Sequence, residues 1–320
     1  MKLIEYDTLE DKSRFFTSRQ TINTISEFND LFSAIDKLSK KKTEKYVFRG
    51  VREAKYRLYS SFQRLWLTNE LNKSYNSHQD VISKMISECA NPKTILYKYY
   101  KRLGVICNDW LILSFLQHYG AATPLLDFSQ DPKVALFFAC LDCTFVPSNK
   151  EIDNYISIYY YKSVDVANGL APSIYNLAKK KAERYSTYAG RDFWTSDLSF
   201  RKISEGEYKA CIVPSYTNSS DINNGNKTKI TEYAVSNLNL TAQEGQFICN
   251  FQENIPLEEI LIKDDKKLLY CVDIHKNLLE YIIHNYLEGS MDNARKKYFV
   301  KEQDIACAAQ RNLFLLSDLD

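Results

Sequence analysis

The sequence predicts a single α+β domain with one mixed β-sheet as its core, a helical insert near its beginning and a helical tail. Two observations support this class. Around residues 110–140, a helical pattern, a glycine, a short apolar run and a second helical pattern follow one another directly. Beyond residue 143 the pattern is mainly that of strands. Since neither a repeat nor a linker is visible, we expect a helical segment at 1–45, the domain at 46–285 and the tail at 286–320.

The chain begins with one amphipathic helix and one strand. Apolar side chains spaced three and four residues apart predict a helix over Ile25–Lys40, and Thr24 is suited to cap its first turn. Tyr46–Arg49 is predicted to be a strand that ends at Gly50. The polar end of this strand is the first place where ligand-binding side chains are expected.

An insert at 58–105 follows the first strand. Its periodicity predicts helices over Leu58–Asn69 and Val81–Lys101. The second helix is expected to break at Asn91-Pro92, because proline disfavours helical geometry in the residue before it.

The central junction has the clearest local signals. Asp109–Tyr119 carries one apolar helical face, and Gly120 supplies the positive φ that ends such a helix. Leu125–Phe128 is predicted to be a short strand. Asp131 followed by Pro132 is typical of a helix start, and the apolar residues after them predict a buried helix.

The second half is predicted to be rich in strands. Those strands are Tyr155–Tyr161, Ala210–Pro214, Gln246–Gln252, Ile260–Lys263 and Leu268–Ile274. One helix is expected at Ser173–Tyr188, and the polar run Ser215–Lys229 is expected to be an exposed loop. After His275 the pattern returns to helix, ending with a helix at Gln303–Leu316.

Charge and hydropathy exclude some classes of function. Forty-two basic and forty acidic residues give a net charge of +2, which argues against a non-specific nucleic-acid binder. The N-terminus lacks the apolar core of a signal peptide, and no apolar run is long enough to span a bilayer. We therefore expect a cytoplasmic protein with no membrane contact.

The cysteines and histidines do not predict a metal site. The eight cysteines lack the spacing of a disulfide framework and are expected as small buried hydrophobic residues. Cys140 and Cys143 form one Cys-x-x-Cys pair without a second pair, and no His-x-x-x-His occurs.

Arg49 is the first candidate binding residue. Its guanidinium stands at the end of a strand, where a fork of donors can bind phosphate or carboxylate in bidentate geometry. Gly50 lets a ligand or a neighbouring backbone approach closely. From spacing alone, an arginine in a salt bridge at a strand end is the commoner interpretation.

Polar residues at the central junction are further candidates. His118 lies in the last turn of its predicted helix, where the helix C-terminus favours the charged imidazole, and it is suited to act as a general base or to fix the turn. Asp127 interrupts an apolar run and needs a partner such as Arg49, or serves as a local turn acceptor. Ser129 and the amides of Asp131–Val134 are predicted to bind an anion at a helix start.

Glu244 is the candidate carboxylate. It stands beside a glycine at the mouth of a predicted strand, where a carboxylate can contact a ribose hydroxyl or stabilise positive charge at an anomeric carbon. A surface glutamate is the commonest alternative.

Several short motifs occur in a recognisable order. They are Tyr46–Gly50, Tyr56–Ser61 with Arg64, Gln117–Gly120, Leu125–Phe128, Val134–Ala139 and Ala242–Phe247. Together they resemble the FRG-domain family, which is named for a Phe/Tyr-Arg-Gly signature. The resemblance runs from Tyr46 to Asn285.

The order of elements is also similar to the ADP-ribosyltransferase fold, which implies NAD as the cofactor, consumed as a substrate. In that resemblance Arg49 holds the dinucleotide phosphate, Tyr119 or Phe128 stacks on nicotinamide, Ser129 supports the strand and Glu244 binds the ribose. Gly50 and Asp127 complete the predicted binding residues, and His118 joins Arg49 and Glu244 as the predicted catalytic residues.

The resemblance therefore implies an NAD-consuming enzyme, an ADP-ribosyltransferase or NAD glycohydrolase. It implies a nucleotide ligand, a protein or nucleic-acid acceptor, and a role as a toxin or anti-phage defence effector with an antitoxin or defence partner. A non-catalytic ligand-sensing or protein-binding module is the alternative, in which Arg49, His118 and Asp127 hold strand, helix and turn together.

Overall fold

The computed structural model describes residues 3–40, 45–103, 107–168, 170–174, 176–177, 180, 198–214 and 242–299. Its centre is a mixed sheet of seven strands, which are β1 (Arg19–Ile22), β2 (Tyr46–Val51), β3 (Leu125–Ser129), β4 (Tyr155–Lys162), β5 (Ala210–Pro214), β6 (Gly245–Asn250) and β9 (Tyr270–His275). A separate pair of two-residue strands is β7 (Ile262–Lys263) and β8 (Lys266–Lys267). Across the large sheet the strands follow the order β1-β9-β4-β2-β3-β6-β5, and among their pairings only that of β1 with β9 is parallel.

Helices cover both faces of this sheet. Within the described residues they are α1 (Leu9–Ser13), α2 (Ile25–Ser39), α3 (Ser61–Thr68), α4 (His78–Ala90), α5 (Ile95–Arg102), α6 (Asp109–His118), α7 (Pro132–Cys140), α8 (Ser163–Ala167), α9 (Phe200–Ser204), α10 (Leu257–Ile260), α11 (Leu279–Tyr286) and α12 (Met291–Tyr298). Short 3-10 turns lie at Leu71–Lys73, Glu151–Asn154 and Lys276–Leu278. The α+β class and the single large mixed sheet are as the sequence predicts.

Three apolar clusters pack the sheet. On one face α2, α7, α11 and α12 cover β2, β4 and β9, and α3 and α4 of the insert, together with α6, cover β3, β5 and β6. The opposite face packs against residues 6–16, α8 and α10. Because side chains alternate between the faces of a strand, neighbouring residues of β2 and β3 belong to different clusters.

Most of the predicted helices that lie within the described residues are confirmed, with ends that differ by a few residues. Thr24 caps α2 in a capping box, and the break at Asn91 separates α4 from α5. Gly120 follows α6 with φ of +80°, and Asp131 and Pro132 open the buried helix α7. The expected helix Leu58–Asn69 begins later, at Ser61, where Ser60 forms its capping box.

Other boundaries differ from the prediction. The strand expected to end at Gly50 continues to Val51, because β2 pairs with β4 along its whole length. The region 1–45 also supplies β1, which pairs with β9. The strand predicted at Ile260–Lys263 is instead the end of α10 followed by the short β7. Most of Ser173–Tyr188, and all of Ser215–Lys229 and Gln303–Leu316, lie outside the described residues.

Gly50 is fixed by a close approach between β2 and α7. An added Cβ at this position would lie 1.7 Å from the carbonyl oxygen of Ala135 and 2.7 Å from the amide nitrogen of Ala139. The helix therefore rests directly on the strand backbone. The sequence left two explanations for Gly50, close approach of a ligand or of a neighbouring backbone. The backbone of α7 is the neighbour that requires a glycine here.

The two central strands barely pair with each other. β2 and β3 meet only at Phe48 and Ser129, whereas β2 pairs with β4 at six positions and β3 pairs with β6 at five. Beyond Phe48 and Ser129 the two strands separate, and the sheet has a gap at its centre.

The N-terminal segment is anchored by buried polar contacts. Lys12 and Asp273 are both fully buried and form an ion pair, to which Ser157 donates a hydrogen bond at 2.6 Å. The Tyr6 hydroxyl donates to Glu258 at 2.6 Å, and this carboxylate is also fully buried. These contacts hold residues 3–5 beside β2.

His78, at the start of α4, gives a pH-dependent stability. It is 3% exposed, its ring meets Phe62 and Trp66 edge-on, and neither ring nitrogen has a hydrogen-bond partner among the described residues. Burial lowers the pKa of His78 to about 4. The folded state therefore binds this proton less readily than the unfolded chain, whose histidine titrates near ~6.5.

We expect the free energy of unfolding to be highest above about pH 6.5 and to decrease as the pH falls towards 4, because the unfolded chain takes up a proton at His78 that the folded protein does not. Linkage predicts a loss of about 2 kcal/mol between pH 7 and pH 5. Urea unfolding of wild type and His78→Leu at pH 7 and pH 5 measures this loss. Between the two pH values, the free energy of unfolding of His78→Leu should fall by about 2 kcal/mol less than that of wild type. His284→Gln, at an exposed histidine, is the matched control. An equal pH dependence in His78→Leu and wild type would contradict the assignment.

Candidate functional site

A cavity of about 670 Å³ opens where β2 and β3 separate. This volume falls in the range typical of small-molecule sites, roughly 300–1,000 Å³. Its walls come from the N-terminal segment, β2 and the loop after it, α3, the end of α6, β3, α7 and the turn before β6. Polar residues of the wall are Arg49, Arg52, Arg57, Arg64, Gln117, His118, Asp127, Ser129, Gln243 and Glu5.

Arg49 projects from β2 into the gap. Its Nη1 donates to the carbonyl oxygen of Asp127 at 2.7 Å and lies 3.7 Å from Oδ2 of the same residue. Its buried Nε has no hydrogen-bond partner among the described residues. Burial lowers the pKa of Arg49, and Asp127 opposes this shift. Arginine stays charged in proteins, and because Nε is closed off from solvent, the donors that remain for a ligand are those of the two terminal nitrogens.

Arg64 reaches the same cavity from α3, which begins at the capping box of Ser60. Its Nη1 donates to the carbonyl oxygen of Tyr59 at 2.8 Å. Burial lowers the pKa of Arg64, and the nearby charges of Arg49 and Arg52 lower it further. Arg49 and the more exposed Arg64 therefore line one cavity, and their like charges repel each other.

Asp127 is held mainly by α6 rather than by Arg49. Its Oδ2 accepts a hydrogen bond from Gln117 Nε2 at 2.6 Å, and Gln117 Oε1 accepts one from Thr123 Oγ1 at 2.5 Å. The Asp127 side chain is 47% exposed, so it remains accessible to a ligand in the cavity. Arg49, the predicted partner of this carboxylate, makes the longer and weaker contact with it, 3.7 Å from Nη1 to Oδ2.

His118 lines the cavity at the end of α6. The sequence predicted that the helix C-terminus would favour its charged form, and this direction is wrong. Burial lowers the pKa of His118, with Asp127 opposing the shift. The neutral ring, which accepts a proton, is therefore favoured near pH 7.

The predicted anion site at the start of α7 is already satisfied internally. The amide of Lys133 donates to the Asp131 carboxylate at 2.8 Å, and the amide of Val134 donates to the Asp131 carbonyl at 3.1 Å. Ser129 Oγ accepts from the Asp131 amide at 2.9 Å and donates to the carbonyl of Gln243 at 2.6 Å. Ser129 thus ties β3 to the turn before β6, and these amides are not free for an anion.

Glu244 lies in that turn with φ of +45°, and its side chain is exposed. Its backbone carbonyl accepts a hydrogen bond from the Gln130 amide at 3.1 Å. Its neighbours Gln243 and Gly245 line the cavity, and Glu244 itself does not. Among the described residues, the carboxylates that line the cavity are those of Asp127 and Glu5.

The two predicted stacking residues occupy different environments. Tyr119 is 68% exposed, packs on Phe115 with ring centroids 4.5 Å apart, and lies outside the cavity wall. Phe128 lines the cavity but is 2% exposed and packs edge-on against Tyr161 at 5.1 Å. Phe299, which is 39% exposed, also borders the cavity.

The structure therefore brings together Arg49, Gly50, His118, Asp127, Phe128 and Ser129, and leaves Tyr119 and Glu244 outside the wall. Sequence reasoning assigned no binding role to Arg64 or to the N-terminal residues Leu3 to Glu5. Arg64 belongs to a recognised motif, and its position in the first turn of a capped helix was the available signal.

Two kinds of site are absent from the described residues. No three His, Cys, Asp or Glu side chains there come together so that they could hold a metal ion. No helix in the described ranges has the length and apolar character needed to cross a membrane.

Comparison with known proteins identifies one domain. Residues 44–144 match the family model of the FRG domain. This segment, about a third of the chain, includes β2, the insert, α6, β3 and α7, and so supplies most of the cavity wall. No curated protein and no solved structure matches the chain.

Proposed function

We propose that this FRG-domain protein is an NAD-consuming enzyme, an ADP-ribosyltransferase or NAD glycohydrolase, with its site in the gap between β2 and β3. One observation carries the proposal. The Arg49 side chain, which is 19% exposed, lines a cavity large enough for a nucleotide, and among the described residues its terminal nitrogens donate only to the backbone carbonyl of Asp127. Partly buried arginines with unused donors bind phosphate groups well.

The chemistry requires one bond exchange at the ribose next to nicotinamide. The bond between the anomeric carbon and the pyridinium nitrogen breaks, and its electron pair passes to the ring nitrogen, which neutralises the pyridinium. Water, or an acceptor group, forms the new bond to the anomeric carbon and releases a proton. The products with water are nicotinamide, ADP-ribose and one proton.

Asp127 is the carboxylate best placed for this reaction. The transition state has positive charge at the anomeric carbon, which a nearby carboxylate stabilises. Asp127 is exposed to the cavity and oriented by Gln117. Glu244, which the fold resemblance favours, lies beside the wall and is our second choice. His118 lines the cavity, and burial, which lowers its pKa, favours the neutral ring, the form that can accept the proton of the attacking water.

A non-catalytic module is the second candidate function, and a specific observation favours it. Thr123, Gln117, Asp127 and Arg49 form a continuous polar chain that joins α6, β3 and β2. Such a chain holds three elements together whether or not a reaction occurs. In that case the cavity senses a nucleotide without consuming it. We also propose that the enzyme serves as a toxin or anti-phage defence effector, with a protein or nucleic-acid acceptor and an antitoxin or defence partner.

Nicotinamide release tests the enzyme directly. We expect purified protein incubated with NAD to release nicotinamide, and Arg49→Lys to lower the rate about 10- to 100-fold. Lysine keeps the charge but loses the planar fork that binds a phosphate in two places. Chromatographic measurement of nicotinamide gives the rates.

Arg201→Lys is the matched control, because Arg201 is 62% exposed and lies outside the cavity wall. It should match wild type. Binding of NAD without any nicotinamide release would contradict the enzyme and favour the sensing module.

A further inference from the structure

Arg64 gives the cavity wall a second arginine, close enough to Arg49 for their charges to interact. Arg49 is carried by the sheet and Arg64 by α3, so the two groups approach the cavity from different elements. Within the described part of the chain each donates one hydrogen bond, and both acceptors are backbone carbonyls. A guanidinium has five N–H donors, so the terminal nitrogens of both side chains keep N–H groups for a ligand, although Nε of Arg49 is closed off from solvent.

The charges around the cavity also favour an anionic ligand. Arg57 is neutralised by Glu258 and Glu259, which it contacts at 2.9 and 2.5 Å. The remaining arginines of the wall are Arg49, Arg52 and Arg64, and the carboxylates of the wall are Asp127 and Glu5. Arg49 and Arg64 share one carboxylate, Asp127, so the part of the wall around these two guanidinium groups carries a net positive charge.

One phosphoryl group can occupy one guanidinium fork in bidentate geometry. Two forks on separate elements are satisfied together by two phosphoryl groups that are covalently linked. A single phosphate can bind both forks only if the two guanidinium groups converge on it, and their like charges oppose that approach.

We propose that Arg49 and Arg64 form a two-point clamp for a diphosphate, so that the ligand is a nucleoside diphosphate or a dinucleotide rather than a monophosphate. This deepens the proposed function and rests on it for the identity of NAD. Arg64 is a positioning residue that binds the diphosphate away from the reacting carbon.

Binding of inorganic pyrophosphate and inorganic phosphate, measured by calorimetry at one ionic strength, tests the clamp. We expect wild type to bind pyrophosphate at least about tenfold more tightly than phosphate. Arg64→Gln should weaken pyrophosphate binding by roughly tenfold or more, the loss expected for one charge-assisted hydrogen bond. Phosphate binding, held by Arg49, should change less than about threefold, so that the preference largely disappears.

Arg201→Gln, which removes an exposed charge outside the cavity, is the control and should keep the preference. The thermal midpoint of each variant shows whether it folds. If Arg64→Gln does not fold, Arg64→Lys decides the question, because it retains the charge and loses the fork. A folded variant whose affinity for pyrophosphate stays within about twofold of wild type would overturn the clamp.

Parallel measurement of nicotinamide release separates this inference from the proposed function. A diphosphate preference that depends on Arg64, without release from NAD, keeps the clamp and rejects the enzyme. Release of nicotinamide at an unchanged rate and KM in Arg64→Gln keeps the enzyme and rejects the clamp.

Discussion

Replacing Gly50 with alanine is expected to destabilise the protein by more than about 3 kcal/mol, which is enough to leave little folded material in a domain of ordinary stability. The added methyl group would lie 1.7 Å from the carbonyl oxygen of Ala135. Overpacking at a side chain is relieved by a change of rotamer, but here the obstacle is the backbone of α7. Relief requires the helix to move away from β2, which would expose the apolar cluster between them.

Soluble yield and urea unfolding measure this effect. Gly120→Ala is the matched control, because Gly120 has φ of +80° and no heavy atom within 4 Å of an added Cβ. Its cost is conformational only, about 1 kcal/mol. A Gly50→Ala protein as stable as Gly120→Ala would show that β2 and α7 are not in direct backbone contact. The two substitutions thus distinguish destabilisation caused by a steric clash, at Gly50, from destabilisation caused by an unfavourable φ, at Gly120.

Asp127→Asn is expected to lower nicotinamide release by about 10²–10³-fold, the size of effect seen when a group that stabilises transition-state charge is removed. Asparagine has nearly the same shape, and its side-chain oxygen can still accept from Gln117, which donates at 2.6 Å in the native protein. The contact of Arg49 with the backbone carbonyl is also preserved. The change removes the negative charge with little effect on structure.

Glu244→Gln provides the comparison for this prediction. The Glu244 side chain is exposed and outside the cavity wall, so we expect at most about a threefold change in rate. The reverse outcome, a large loss in Glu244→Gln and a small one in Asp127→Asn, would restore the role that the fold resemblance implies for Glu244. NAD affinity measured for both variants shows whether any loss lies in binding or in the bond exchange.

Much of the fold could be predicted because its signals are local. The cap at Thr24, the positive φ at Gly120 and the Asp131-Pro132 helix start each depend on a few adjacent residues, and each is confirmed. The strand β1 was missed because Arg19–Ile22 is short and at the edge of the sheet, where it depends on pairing with β9, some 250 residues later.

The candidate site could be predicted only in part, because a cavity depends on contacts that spacing does not encode. Arg49 and Asp127 were found, since each interrupts an apolar run. The main partner of Asp127 is Gln117, and that contact requires α6 to pack beside β3. Glu244 was placed in the site from its position beside a strand, and the direction of a side chain in a turn cannot be inferred from such a position.

The single pairing between β2 and β3 has a thermodynamic consequence. In the backbone ladder the two parts of the sheet are joined by one pair, Phe48 and Ser129, and the cavity has walls on both parts. A ligand that contacts both walls adds links between the two parts. If the parts differ in alignment between the free and the bound protein, linkage requires that the ligand favour the alignment it binds more tightly.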